Sequence, residues 1–272
     1  MKHDIILFIK SYKPDFKNVL NLLESIAKHN KDKIPVFLSV NDEDFLFFKK
    51  NISFNVNLLK DSDVVNCKIE DKWRYQQIVK SSVHKLNVCD AYLALDSDSE
   101  FITDFYKKDF LYKKGIPYTV MHESKGFQET MERINIDSNA LFYKEATRAT
   151  RILLSIKDTS KIWDYGPSPY LWSTFVWQEI ENFLEGEGKT LERFLMEISN
   201  ITSPSENVIY GEYLRVFKPM EIIAIGPLFK VYHYKKQYVL ERKFHKLEKL
   251  KKVYLGLIFQ SNWKKHFWHK FF

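Results

Sequence analysis

Residues 91–101, AYLALDSDSEF, set the reading of the whole chain. Five small or apolar residues, Ala91 to Leu95, run straight into Asp96-Ser97-Asp98. A short apolar run bounded by polar residues fits a strand buried on both faces of a sheet. Side chains at i and i+2 of a strand point the same way, so Asp96 and Asp98 aim their carboxylates to one side. Like charges that close repel unless something separates them. A metal ion, a Lys or Arg, or water at the strand end each meets that need.

Working outward, the same pattern repeats on the N-terminal side. Residues 4–9 (DIILFI) read as a buried strand, and 15–29 as a helix capped by Asp15, with Val19, Leu22, Leu23 and Ile26 on one face. Residues 35–40 read as a second strand, Trp73 to Leu86 as a helix, and Tyr118 to Met121 as a further strand. Strand and helix in alternation predict an α/β fold, a central mostly parallel sheet flanked by helices. Ligands bind such sheets beyond the carboxyl ends of the strands. Polar clusters stand there: Lys10-Ser11-Tyr12, Asn41 to Asp44, and Asp96 to Ser99. There is no GxGxxG and no GxxxxGK[ST], so neither a dinucleotide fingerprint nor a P-loop is present. Further on, 145–156, 171–185, 189–198 and 203–217 read as helices, 163–170 (WDYGPSPY) as a loop, and 221–234 as one or two strands.

The charge is uneven. Of 42 basic and 35 acidic residues, nine and two fall in 241–272, so the first 240 residues balance at 33 each. A neutral body with acidic strand ends argues against nucleic acid as the main ligand. Two cysteines, Cys67 and Cys89, make no disulfide framework in 272 residues, which fits a reducing cytoplasm. The apolar run at Ile5 to Ile9 is too short for a signal peptide, and no window nears the roughly 20 apolar residues of a membrane span.

ALDSDSEF resembles the DxD motif of GT-A glycosyltransferases, which use nucleotide-sugar donors. ILFIKSYKPDF near the start, WRYQQIVK at 73–80 and PSENVIYGEYL at 204–214 are similar to segments of a bacterial GT-A-like group that serves polysaccharide and lipooligosaccharide synthesis. The resemblance implies a single Rossmann-like GT-A domain over 1–240. It implies a divalent metal, Mn²⁺ or Mg²⁺, on Asp96, Asp98 and His233, with Asp96 also touching the donor. It sets Lys10, Ser11 and Tyr12 at the nucleotide base, and Asp42, with Glu43, at the ribose or base. Arg74, Gln77 and Lys80, one helical face by spacing, turn in the resemblance to the donor phosphates or nucleotide, a UDP-sugar being favoured; a solvated helix face is the alternative. An inverting transferase needs a carboxylate base. Glu206 at a helix start takes that role, with Glu212 in reserve; the plainer alternative is a favourable charge on the helix dipole. Trp163, Tyr165, Tyr170 and Trp172 suit a sugar-stacking acceptor platform, or else the core.

Residues 241–272 interleave basic residues with Phe, Trp, Leu and Tyr. That pattern predicts a basic amphipathic helix at an anionic membrane surface, peripheral on the inner face of the plasma membrane. A helix docked on the body is the alternative. The expected function is a metal-dependent transferase acting on a glycan or lipid-linked acceptor. A DxD phosphohydrolase and a non-enzymatic membrane- or nucleic-acid-binding protein are the alternatives.

Overall fold

Strand β1 (His3–Ser11) is buried from Ile5 to its end. Its side chains alternate: Ile6 and Phe8 enter one core cluster, while Ile5, Leu7 and Ile9 enter the other. That alternation with apolar residues on both faces defines a central strand. The computed structural model describes residues 2–67, 69–137, 142–157, 161–199 and 205–260.

Around β1 the N-terminal half lays down α1 (Phe16–His29), β2 (Val36–Val40), α2 (Phe45–Asn51), β3 (Asn57–Lys60), α3 (Asp61–Val64), α4 (Lys72–Ser81), β4 (Cys89–Asp96) and β5 (Ser99–Phe101). Next come β6 (Leu111–Lys113), β7 (Ile116–Pro117), β8 (Thr119–Val120), α5 (Lys125–Arg133) and α6 (Phe142–Leu153). The remainder forms β9 (Tyr170–Ser173), α7 (Thr174–Gly186), α8 (Leu191–Ser199), α9 (Glu206–Phe217), β10 (Ala224–Ile225), β11 (Phe229–Tyr232), α10 (Lys235–Glu241), α11 (Leu247–Leu250) and β12 (Gly256–Phe259).

The main sheet has the order β3-β2-β1-β4-β9. Its first four strands are parallel and β9 runs antiparallel to β4. Helix α1 covers one face through Val19, Leu22, Leu23 and Ile26, as its periodicity predicts. Residues from α4, α7, α8 and α9 cover the other, around Tyr92, Trp172, Trp177 and Tyr210. The fold is thus α/β with a mostly parallel sheet between helices.

Three expectations need correction. The helix expected over 171–185 begins only at Thr174, because Tyr170–Ser173 is strand β9, with Leu93 opposite Leu171. Apolar aromatic residues beside an open strand pair with it; tertiary pairing overrides the helical pattern. The helix expected to reach Leu86 ends at Ser81, and a short 3-10 turn over Val83–Leu86 closes at Asn87 with φ 52°. The C-terminal region is not one amphipathic helix over its described part, 241–260. Strand β12 pairs parallel to β11 and antiparallel to β5, the strand that leaves the two aspartates. Leu250 and Leu257 pack on Ile102. Residues 261–272 lie outside the described residues.

One close approach in α9 tests this packing. A Cβ on Gly211 would stand 2.2 Å from the Tyr165 ring. That ring is buried, and its hydroxyl donates to Glu212 at 2.7 Å, so it has nowhere to turn. In a free helix Gly→Ala gains about 1 kcal/mol. Here overpacking costs about 1–3 kcal/mol. Gly211→Ala is expected to lower the urea midpoint, whereas Gly186→Ala, with open space around it, leaves the midpoint unchanged or raises it.

Candidate functional site

The chain builds β2 and β3 on one side of β1, then crosses to build β4 on the other. At such a reversal the connections leave the sheet in opposite directions and open a crevice at the carboxyl ends. Here that crevice is a cleft of about 2050 Å³. Its floor carries Lys10 and Ser11 from β1, and Asp96 and Asp98 from the end of β4. Lys10 and Asp96 are register partners.

The cation that meets Asp96 is a lysine. Lys80, in the last turn of α4, is 4% exposed, and its Nζ donates to Asp96 Oδ1 at 2.5 Å. The same Nζ stands 3.8 Å from Glu206, the first residue of α9. One buried ammonium thus joins the strand end to the helix start. Burial opposes the charge on Lys80, yet Asp96 and Glu206 outweigh it and hold its pKa above the usual lysine value. Burial also opposes the charge on Asp96, but Lys80 wins and keeps the carboxyl below its ordinary range. Glu206 differs. Its burial exceeds the help from Lys80, and its pKa is raised.

A second buried lysine lies alongside. Lys10 contacts Asp61 at 2.9 Å and donates to Asn41 Oδ1 at 2.9 Å. Burial lowers the pKa of Lys10 and raises that of Asp61, against their mutual attraction. Ser11 Oγ, in a residue 3% exposed, has no hydrogen-bond partner among the described residues. A buried hydroxyl without a partner costs free energy that a ligand in the cleft recovers.

The remaining predicted residues divide. Tyr12, Asp42, Glu43, Gln77, Trp163 and Tyr170 line the cleft. Asp42 also accepts from the Ser62 backbone and hydroxyl, at 3.1 and 2.6 Å, so part of its role is structural. Arg74 does not line the cleft: it turns back to the helix cap Asp71, at 3.5 Å. Trp73, Gln76 and Gln77 take its place on the wall. Tyr165 and Trp172 are core residues, 4% and 3% exposed, and form no acceptor platform. Trp172 stacks under Tyr170 with centroids 5.2 Å apart. Glu212 is fully buried among Arg151, Arg215 and Tyr165, at 2.6, 2.9 and 2.7 Å. Those hydrogen bonds overcome its burial and lower its pKa, which suits a structural anion and not a base.

His233 lines the cleft, but packs 4.8 Å from the Phe127 ring, and burial pushes its pKa down to about 4. Among the described residues no three His, Cys, Asp or Glu side chains gather as metal ligands. The set Asp96, Asp98 and His233 therefore does not assemble, and Lys80 already fills one side of Asp96.

Sequence reasoning missed a third cluster. Ser124, which precedes α5 at φ 54°, donates its hydroxyl to Asp164. His122 Nδ1 accepts from the Ser124 backbone at 3.0 Å, so Nε2 carries the proton and donates to the Gly166 carbonyl at 2.6 Å. This network anchors the 163–170 loop over the cleft; it is not a nucleophile with its base, since the histidine lone pair is occupied. The available signal was Ser-Lys-Gly following a short strand.

Residues 1–269 match a family of unknown function, DUF6492. The chain belongs to that family. None of the curated proteins matches it.

The lysine between two carboxylates has a measurable consequence. Lys80→Met leaves buried Glu206 and half-buried Asp96 without their cation; removing one partner of a fully buried pair costs about 3–5 kcal/mol, and less is expected here because the Asp96 side chain is 31% exposed. Both carboxyl pKa values then rise in the folded variant, so its deficit grows as pH rises through them and shrinks in acid. Urea unfolding of both proteins across pH is expected to show this convergence at low pH.

Proposed function

We propose that this chain is a glycosyltransferase, moving a sugar from a nucleotide-sugar donor to a glycan or lipid-linked acceptor. The observation that carries the reading is the Asp96–Lys80–Glu206 array, with Lys80 and Glu206 buried and Asp96 half-buried, on the floor of a cleft with room for two substrates. The crevice lies at the reversal of strand order, where nucleotides bind open α/β sheets. The unpartnered Ser11 hydroxyl beside Lys10 and Asn41 supports a nucleoside on that side. Aromatic faces on the walls, Trp73, Trp163 and Tyr170, suit the C–H faces of sugars.

In this reading the acceptor oxygen attacks the anomeric carbon, the bond from that carbon to the phosphate oxygen breaks, and the nucleoside diphosphate leaves with the electron pair. Glu206 takes the acceptor proton, a role to which its raised pKa is matched. Lys80 faces the developing negative charge, and Asp96 holds the ammonium in place. The Mn²⁺ or Mg²⁺ that the resemblance implies has no assembled ligand set among the described residues. Lys80 and Lys10 are the buried cations of the cleft that would face the leaving diphosphate, and Asp96 and Asp98 would hold such an ion only together with the donor's own phosphates.

Calorimetric titration with UDP, GDP, CMP and dTDP, in EDTA and in Mn²⁺, tests the donor site. One nucleotide is expected to bind in EDTA. Binding that needs Mn²⁺ would assign the charge to an ion and to Asp98, and binding of none would remove the reading. Glu206→Gln is expected to keep nucleotide affinity and to lose transfer, or hydrolysis of the donor, by about 100- to 10,000-fold. Because the base works deprotonated, kcat/KM should fall as pH drops through the raised pKa of Glu206. The acid limb should lie above the ordinary glutamate value of 4.5.

A further inference from the structure

Helix α10 has its polarity reversed. It buries Gln237 and Glu241, 1% and 9% exposed, and turns Val239 and Leu240 outward at 45% and 38%. The buried side is spent on hydrogen bonds: Gln237 accepts from the His233 backbone at 2.9 Å and donates to the Val231 carbonyl at 3.2 Å. Glu241 meets Lys230 at 2.5 Å and His245 at 3.0 Å. Tyr238 packs inward on Tyr232 and Phe259, while the aliphatic Val239 and Leu240 are left facing outward. Phe244 and Val253, later in the same stretch of chain, are exposed apolar side chains too, at 70% and 72%. The same stretch carries exposed cations, among them Lys235, Lys236, Arg242, Lys243, Lys249 and Lys252, against one exposed acid, Glu248.

A soluble helix normally buries its apolar stripe, and contiguous exposed apolar surface marks a contact site. Aliphatic side chains set among cations fit the headgroup–acyl boundary of an anionic bilayer, where both kinds of group are satisfied. A nucleic acid would use the cations and leave Val239, Leu240 and Val253 without a partner. The position of the face adds a second point. Leu240 and Phe244 are exposed and also line the cleft, so whatever this face rests on lies at the cleft's mouth.

We propose that the exposed apolar side chains of α10 and the chain after it, Val239, Leu240, Phe244 and Val253, dock on an anionic lipid bilayer and present the cleft's mouth to it. Resting on the glycosyl-transfer reading, this makes the acceptor a membrane amphiphile whose headgroup enters the cleft while its tail stays in the bilayer. The docking surface is then part of the folded body, at the cleft's mouth, and not a separate tail helix.

The test uses the full chain with vesicles of phosphatidylcholine, with and without phosphatidylglycerol, by co-sedimentation. Binding is expected to be about tenfold stronger to the anionic vesicles and to weaken with salt. Val239→Glu/Val253→Glu, two exposed positions off the cleft wall, is expected to lose about tenfold in vesicle binding. Its nucleotide affinity and urea midpoint should not change. Equal binding to both vesicles, no binding, or a variant that binds like the parent would overturn the docking face. So would salt-sensitive binding to a labelled RNA without vesicle binding. A nucleotide titration of the same samples separates the two readings. Nucleotide binding without vesicle binding leaves the transferase and overturns the bilayer. Vesicle binding without nucleotide binding keeps the face and overturns the acceptor assignment.

Discussion

A lysine ammonium buried between two carboxylates is the constraint on which the site depends. Lys80 reaches the cleft floor from the last turn of α4, Asp96 from the end of β4, and Glu206 from the first turn of α9. None of the three tolerates burial as an isolated charge. Together they leave one surplus negative charge on the cleft floor, with Lys80 and Glu206 shielded from solvent. That explains why Asp96 is held ionised while Glu206, the more distant partner, is pushed toward its neutral form. The same competition between burial and pairing recurs at Lys10 and Asp61, where burial wins for both partners.

The helices that bring these groups together are fixed by aromatic packing away from the cleft. Tyr92, Trp172, Trp177 and Tyr210 form one cluster under β4 and β9, with ring centroids 5.3–5.8 Å apart for the contacts of Trp172 with the other three. Tyr210 also accepts the Ser173 backbone N–H at 2.9 Å, locking α9 to the edge strand. Gly211 lets Tyr165 lie flat against the helix, and Glu212 then gathers two arginines and the Tyr165 hydroxyl. Residues that looked suited to binding sugars, or to acting as a base, are spent on holding Glu206 in position. High aromatic content here serves the scaffold first and the cleft wall second.

At the other end of the cleft, α10 spends polar side chains inward and leaves apolar ones outward. The inward hydrogen bonds satisfy β11 and its flanking turn, which would otherwise end with open backbone groups. Strand β12 serves β5 and β11 in the same way, tying the chain after the two aspartates to its C-terminal region. The basic, aromatic composition after residue 241 therefore includes part of the fold as well as a surface.

Local pattern was enough to lay out the sheet and its polarity. Apolar runs at 4–9, 35–40 and 91–95, with helical periods between them, leave few other ways to bury so much surface, and the polar residues at their ends mark the cleft. The sequence also singled out Lys10, Ser11, Asp96 and Glu206, because strand ends and helix starts are legible from local pattern, while Lys80 came from helical spacing and the family resemblance. It did not separate Arg74 from Lys80, or Tyr165 from Tyr170, since residues on one helix face or in one loop have similar local signals. Nor did it pair Lys80 with Asp96 and Glu206, or Lys10 with Asp61. Those pairs join residues 16 to 126 positions apart in the chain, and only tertiary packing decides which buried charge meets which. The strand at 170–173 and the reversed face of α10 were settled the same way: a neighbouring strand or turn offered hydrogen bonds that outweighed the local pattern.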